Sequence, residues 1–289
     1  MIQFADTILQ GILLGGLYTL FATGLSLIFG VMRLVNIAHG DLIILAAYIG
    51  MSIVGALGIH PLAGLIFVLP VMFIIGYALQ RGVLNRTVGK DVLPPLLVTF
   101  GLSIVIQNAL NLIFTADSQR LHVGELETSS FHVFGNIAIG TFPLIIFITA
   151  VVVVAGLQYV FYKTEVGRAF RATSDDQDTA QLMGIDNKHI FGLAMALALA
   201  VVGVAGVFLS IKTSFDPSAG PAGLLFGFES VIIGGLGSIW GTLAGGIILG
   251  VAQSLGASIN PAWQILAGHI AFLFILIVRP KGLFPRKVD

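Results

Sequence analysis

Forty-nine consecutive residues, from Ser230 to Val278, contain no Asp, Glu, Lys or Arg. A water-facing domain surface cannot be built from such a run, and it is not alone. Between Asp6 and Arg33 lie 26 uncharged residues, from Leu42 to Gln80 there are 39, Val92 to Ala116 gives 25, the stretch before Lys163 is uncharged back to Thr128 with its apolar part starting near Thr141, and Ile190 to Ile211 gives 22. A helix needs about 20 predominantly apolar residues to cross the hydrocarbon core of a bilayer. Each run therefore holds at least one span, and His60-Pro61 and Asn260-Pro261 divide the two longest. The pattern predicts eight or nine membrane segments, at about 5–30, 39–58, 62–80, 94–115, 141–162, 190–211, 223–239, 241–257 and 262–278. The 223–239 segment is short and glycine-rich, and reads as a broken or re-entrant helix. The expected fold class is an all-α integral membrane protein, with one transmembrane domain covering 1–289.

Composition excludes other classes. Of the 289 residues, 57% are hydrophobic and 10% charged, with a mean hydropathy of +1.02; a soluble domain carries about 25% charged residues. The 14 basic and 14 acidic side chains cancel, which leaves no electrostatic footprint for nucleic acid. The absence of cysteine removes disulfides, thiolate nucleophiles and Cys-ligated metal. The first basic residue is Arg33, so the N-terminal apolar run lacks the positive flank of a signal peptide and is expected to remain as a span. No HExxH or G-x-S-x-G motif occurs. The nearest approach to a Walker A loop, at Gly89-Lys90, has Leu84 where its first Gly belongs and Asp91 in place of Ser or Thr. Neither an enzyme nor a cofactor or metal site is expected.

Charge placement sets the expected orientation. Arg81, Arg86 and Lys90 share one loop, Lys163, Arg168, Arg171 and Lys188 a second, and Arg279, Lys281, Arg286 and Lys287 the C-terminal end. With the segments counted as above, all three fall on one side. The positive-inside rule makes that side cytoplasmic and puts the N-terminus outside.

Ionisable and amide side chains inside spans are the candidate path for a polar solute, because burying a charge there costs at least ~2.5 kcal/mol. Glu229 is the strongest case, with no basic residue within ten positions on either side. It must be protonated, bonded to freed backbone or facing a wet cavity, and a purely structural carboxylate tying a broken helix together is the competing reading. Asp41 follows Asn36, His39 and Gly40 near the expected cytoplasmic edge, where it can cap the next helix or join Asn36 and His39 in a polar cluster. Gln107 and Asn108, with Asn111, lie within two helical turns and either line a path or pair with neighbouring helices. His269 reads as a packed, hydrogen-bonded histidine. Ten glycines between Gly220 and Gly250, several spaced four apart, read as close helix packing, as a subunit interface or as a hinge. Carboxylates beside small residues near Gly40-Asp41 and Phe228-Glu229 are compatible with a repeated transporter architecture, although no clear internal repeat is visible.

The loop 163–189 is the most specific feature. Thr173 or Ser174 followed by Asp175, Asp176 and Asp178 looks like a helix start. Ala180, Leu182 and Met183 offer an apolar patch, and Gly184 ends the helix. A short helix held off the membrane between two long spans suits docking to a soluble partner. Its acidic run argues against lying on the negative cytoplasmic leaflet.

At this loop the chain resembles the inner-membrane permeases of ATP-binding-cassette importers of the branched-chain amino acid type. The likeness covers nearly the whole length. It rests on Gly24-Leu-Ser-Leu-Ile-Phe-Gly-Val-Met-Arg-Leu-Val-Asn-Ile-Ala-His-Gly-Asp41, on Gly167-Arg-Ala-Phe-Arg-Ala with Leu-Met-Gly-Ile185, and on Ile233-Gly-Gly-Leu-Gly-Ser-Ile-Trp-Gly-Thr-Leu-Ala-Gly-Gly246. It is closer to the permease of the pair that has no long extra soluble portion. The resemblance implies a multi-pass bacterial inner-membrane subunit that pairs with a second, homologous permease. Two cytoplasmic ATP-binding subunits would dock on the loop helices, and an extracytoplasmic solute-binding protein would deliver the solute. It implies that 167–185 contains the coupling helix and that Arg168, Arg171, Met183 and Gly184 face or shape the ATPase contact. Solutes in such a family include branched-chain amino acids, urea and short amides. A stand-alone channel or secondary transporter is the alternative from a different class, and it would have no reason for a docking helix.

Overall fold

A computed structural model describes residues 2–88, 93–133 and 137–285. Gly89, Lys90, Asp91, Arg286 and Lys287, used in the charge and motif arguments, lie outside the described residues. In chain order the elements are α1 (Ile2–Met32), α2 (His39–Leu57), α3 (Pro61–Gly82), α4 (Leu93–Phe114), α5 (Glu125–Thr128), β1 (Ser130–Val133), β2 (Ile137–Gly140), α6 (Thr141–Lys163), α7 (Glu165–Asp175), α8 (Gln177–Leu182), α9 (Asn187–Lys212), α10 (Gly220–Gly234), α11 (Ile239–Ile259) and α12 (Gln264–Val278). The two strands form one antiparallel hairpin, and the rest of the regular structure is helical. Among the described residues, eight helices are long and apolar enough to cross a membrane. The ninth segment is the 15-residue α10. It lies at Gly220–Gly234 rather than 223–239, because Gly235 (φ 106) and Gly237 (φ 79) turn the chain before α11.

Three loops meet at one end of the molecule. Arg81 pairs with Asp186 at 3.6 Å, Ser174 Oγ donates to the Gly30 carbonyl at 2.7 Å, and Gly30 lies against Gly237. This basic end therefore collects the end of α1, the loop after α3, the α7–α8 segment and the turn between α10 and α11. The segment after α12 joins it: the backbone N–H groups of Leu283 and Phe284 donate to the carbonyls of Ile233 and Gly234, each at 2.9 Å. Those two carbonyls belong to the last turn of α10, where a helix leaves acceptors unsatisfied.

Two helices begin inside the span. α1 stops at the basic end, where Arg33 takes a left-handed conformation (φ 52) and reverses the chain. Residues 33–38 then run back inward. Ile37 N–H donates to Thr99 Oγ1, and His39 Nε2 reaches the Phe21 carbonyl at 2.8 Å. Phe21 lies eleven residues before Met32 along α1, roughly 16 Å inward at 1.5 Å per residue. α2 starts at that depth and runs away from the basic end. On the other side of the molecule α9 runs away from the basic end, residues 213–219 fold back inward, and α10 starts beside α2 and runs toward the basic end. A Cβ on Gly40 would fall onto the Gly220 carbonyl, so the two helix starts abut.

The halves repeat in opposite sense. α1 lies along α11 as α9 lies along α3; α2 packs on α9 as α10 packs on α1; α4 touches α2 as α12 touches α10. The internal repeat that the sequence did not display is thus α1–α4 against α9–α12, inverted. Discontinuous helices meeting near mid-depth at the interface of inverted repeats are the recurrent architecture of membrane transporters.

Candidate functional site: the helix junction and the projecting loop

The junction places four of the six expected path residues together. Asn36, His39 and Asp41 are fully buried, and Gln107 Nε2 donates to Asp41 Oδ1 at 2.9 Å and to Ser103 Oγ at 3.3 Å. Asn36 Oδ1 accepts from the Ala38 backbone N–H, which shapes the entry into α2. Two corrections follow for Asp41. It does not cap α2, since the helix already begins at His39 and Asp41 sits in its first turn. Nor is it at the cytoplasmic edge, because the inward run of 33–38 carries it to the depth of Gln107. A Cβ on Gly220, the first residue of α10, would strike the Asp41 carboxylate. The carboxylate therefore lies where the positive ends of two helices meet, an arrangement that favours negative charge.

Glu229 stands in α10 and is 2% exposed. Its Oε1 lies 2.5 Å from Nδ1 of His269 on α12. The sequence separation hid this partner, although each residue was identified singly. The His269 ring also stacks on Phe226, with centroids 6.5 Å apart. A second pair missed by the sequence lies on the same side, where Tyr18 donates to Gln253 Oε1 at 2.6 Å. Asn108 is the exception among the path residues. It is exposed on the outer face of α4, and its Nδ2 donates to the Ile104 carbonyl of its own helix at 2.8 Å.

The projecting loop forms two helices, not one. Thr164 caps α7 by accepting from Gly167 N–H. Asp176 caps α8, accepting from the Asp178 and Thr179 N–H groups at 3.0 Å each. The expected start at Thr173 or Ser174 is overturned. Thr173 is buried inside α7, and Ser174 is bonded to α1; Asp176 supplies the extended cap residue instead. Hydrogen bonds from the Thr179 hydroxyl and backbone hold the Asp176 carboxyl below the usual carboxylate range. Asp186, which caps α9, is lowered in the same way by the His189 N–H, then by Lys188 N–H and the nearby Arg81.

Of the expected contact residues, Met183 is 79% exposed beside Leu182 at 86%, while Ala180 is buried beneath them. Gly184 takes φ 88 and ends the turn. Arg168 is exposed and pairs with Glu165 at 3.2 Å. Arg171 turns the other way: it bonds the Phe161 carbonyl at the end of α6 and lies 5.2 Å over the Tyr162 ring. Arg171 thus fixes the angle between α6 and α7, and Arg168 does not share its environment.

Eight apolar spans, inverted repeats with broken helices and an exposed two-helix projection define a membrane permease. A family model described as the permease component of the branched-chain amino acid transport system matches residues 7–278, and the chain belongs to that family. The high-affinity branched-chain amino acid transport system permease protein BraD of Pseudomonas aeruginosa is 28% identical, covering 98% of this chain and 96% of BraD. LivH of Escherichia coli is 25% identical, over 99% of this chain and 96% of LivH. LivM of the same organism, described as a permease protein of the same kind of system, is 28% identical over 122 residues, 42% of this chain.

Proposed function

We propose that the chain is the smaller permease of a paired importer for branched-chain amino acids, worked by two separate cytoplasmic ATPases and supplied by an extracytoplasmic binding protein. The observation that carries this is the meeting of α2 and α10 inside the span, joined through the basic end to the exposed α7–α8 projection. On this reading the basic end is cytoplasmic and the N-terminus is outside. An ATPase grips Leu182 and Met183, and its movement passes through α7 to the end of α1, where Ser174 holds Gly30. Gly30 adjoins both the inward run 33–38 and the turn after α10, so one displacement reaches both half-helices. Rocking of the two starts against each other closes the path on one side as it opens on the other. The residues of this chain provide shape and two stable arrangements, not bond chemistry.

Asp41 is already engaged by Gln107 and two helix ends, so its role here is to hold the junction. Glu229, reached through the partly exposed His269, is the group that would meet a solute ammonium. Purification of the complete complex from mild detergent tests the class: two ATPases and a second permease are expected to accompany the chain. Competition of labelled leucine uptake by isoleucine and valine, but not by urea, tests the solute. Uptake that proceeds in vesicles holding this chain alone, without nucleotide, would overturn the proposal.

A further inference from the structure

The peripheral helices differ in what they turn outward. α3 exposes Ile66, Phe67, Val71 and Ile74, and α12 exposes Ile265, Leu266, Ile270, Leu273, Phe274 and Ile277. Both faces suit lipid tails. α4 is as apolar outside, with Leu97, Phe100, Ile104, Val105 and Leu112 exposed, but it also exposes Asn108 and Asn111. Gly101 lies between Leu97 and Ile104, and a Cβ there, as on Gly156 of α6, would have no atom within 4 Å, so it is the two amides that set α4 apart. Leu97, Gly101, Ile104, Asn108 and Asn111 are spaced four, three, four and three residues apart, the stripe that packs a second helix at a shallow crossing angle. Asn108 sits fifteen residues into the 22-residue α4, roughly 22 Å along it at 1.5 Å per residue. It therefore falls within a hydrocarbon core about 30 Å thick, beyond the reach of a soluble partner. Amides facing lipid at that depth are costly, whereas across a helix pair they hydrogen-bond and the glycine lets backbones approach.

From this we infer that the outward stripe of α4 is the seat of the second permease, a related chain rather than another copy of this one. The inference rests on the proposed importer reading. The choice of a related chain follows from the two different permeases, LivH and LivM, that carry the same system description in one organism. The seat also has a route inward. Gln107, next to Asn108, bonds Asp41 at the helix junction, so movement across the seam reaches the start of α2.

The native chain has no cysteine, so single thiols can be introduced cleanly. Ile104→Cys on α4, with Ile74→Cys on α3 and Ile270→Cys on α12 as controls, is labelled with a short thiol-anchored photo-crosslinker in membranes from cells making the whole system. The expected result is an adduct with the related permease from position 104, identified by mass spectrometry, and lipid adducts alone from position 74. Gly101→Phe fills open space and is expected to leave the melting temperature of this chain unchanged while cutting co-purified second permease at least fivefold. Permease adducts from position 74 or 270 in place of 104 overturn the surface while leaving the importer reading standing. An adduct of two copies of this chain overturns the partner, and undiminished recovery with Gly101→Phe overturns the seat. Absence of any permease from every adduct and from the purified wild-type complex overturns the seat together with the importer reading.

Discussion

The inverted halves of this permease are held together by two seams of different construction. Along α1 and α11 the backbones touch. A Cβ on Gly15 would come within 2.6 Å of the Gly246 carbonyl oxygen and of Ile247 Cα, and one on Gly11 within 2.6 Å of Val251 Cα. Along α3 and α9 the backbones touch at one point, where a Cβ on Gly76 would come within 2.7 Å of the Met195 carbonyl oxygen, but side chains intervene at Gly203, where the nearest atoms to a Cβ are Met72 Cγ and Val68 Cγ1 at 3.4 Å. Gly192 faces the Tyr77 ring, which in turn bonds His189 at 2.8 Å. Equivalent positions in a repeat need not carry equivalent packing. The α1–α11 seam repeats main-chain contact at Gly11, Gly15, Gly246 and Gly250, whereas the α3–α9 seam has it at Gly76 and can re-pack side chains around Gly192 and Gly203.

The sharpest way to break that contrast is Gly15→Val against Gly203→Ala. The first forces backbone apart and is expected to abolish accumulation of folded protein. The second is expected to shift stability by less than about 1.5 kcal/mol, within the tolerance of a small volume change. Detergent melting temperatures and yields from membranes read both, and equal losses would show that the seams are alike. The next largest difference lies in the paired carboxylates. His269→Leu strips Glu229, 2% exposed, of its hydrogen-bond partner and is expected to fall at the upper end of the ~1–3 kcal/mol cost of a buried unsatisfied group. Gln107→Leu leaves Asp41 at two helix starts and is expected to cost ~1–3 kcal/mol. A reversed order would assign the anchoring role to the Asp41 side.

Substitutions on the projection should separate function from stability. Met183→Asp alters an exposed side chain, so the melting temperature is expected to hold within the small range of surface changes. Uptake should fall at least tenfold while ATP hydrolysis by the assembled complex persists. Full uptake would remove Met183 from the docking surface. The smallest effect expected is with pH. Asp176 and Asp186 have lowered folded-state pKa values, so their contribution is present above the unfolded carboxylate value of about 3.9 and is lost as pH falls through the folded one. Amide exchange at Thr179 and His189 is therefore expected to accelerate only on acidification below about pH 4, with the spans unaffected.

Much of this architecture could be read from residue order alone because lipid imposes a strict length rule. The charge-free runs marked every long helix, and even the short α10 stood out by its glycines. The broken start of α2 was harder. Nothing local reveals that Val35 to Ala38 turns inward, since those residues would equally suit a loop at the surface. That hidden turn misplaced Asp41 by half the membrane. The polar pairs were harder still. Glu229 and His269, or Tyr18 and Gln253, lie far apart in the chain and meet only through tertiary packing. In the projection, Asp175, Asp176 and Asp178 all carried the cap chemistry, and only backbone geometry selected Asp176. Asn108 was identified for its amide, but its exposure was not legible, because neighbouring amides on a helix point in different directions.

The strap that Leu283 and Phe284 lay across the end of α10 makes completion of that half-helix a late event in synthesis. A chain cut after α12 would keep the eight long apolar helices found among the described residues yet leave the Ile233 and Gly234 carbonyls bare at the basic end, the length of α10 away from the junction. The finish of that half-helix is therefore entrusted to a few residues beyond α12, which can be lost without touching an apolar helix.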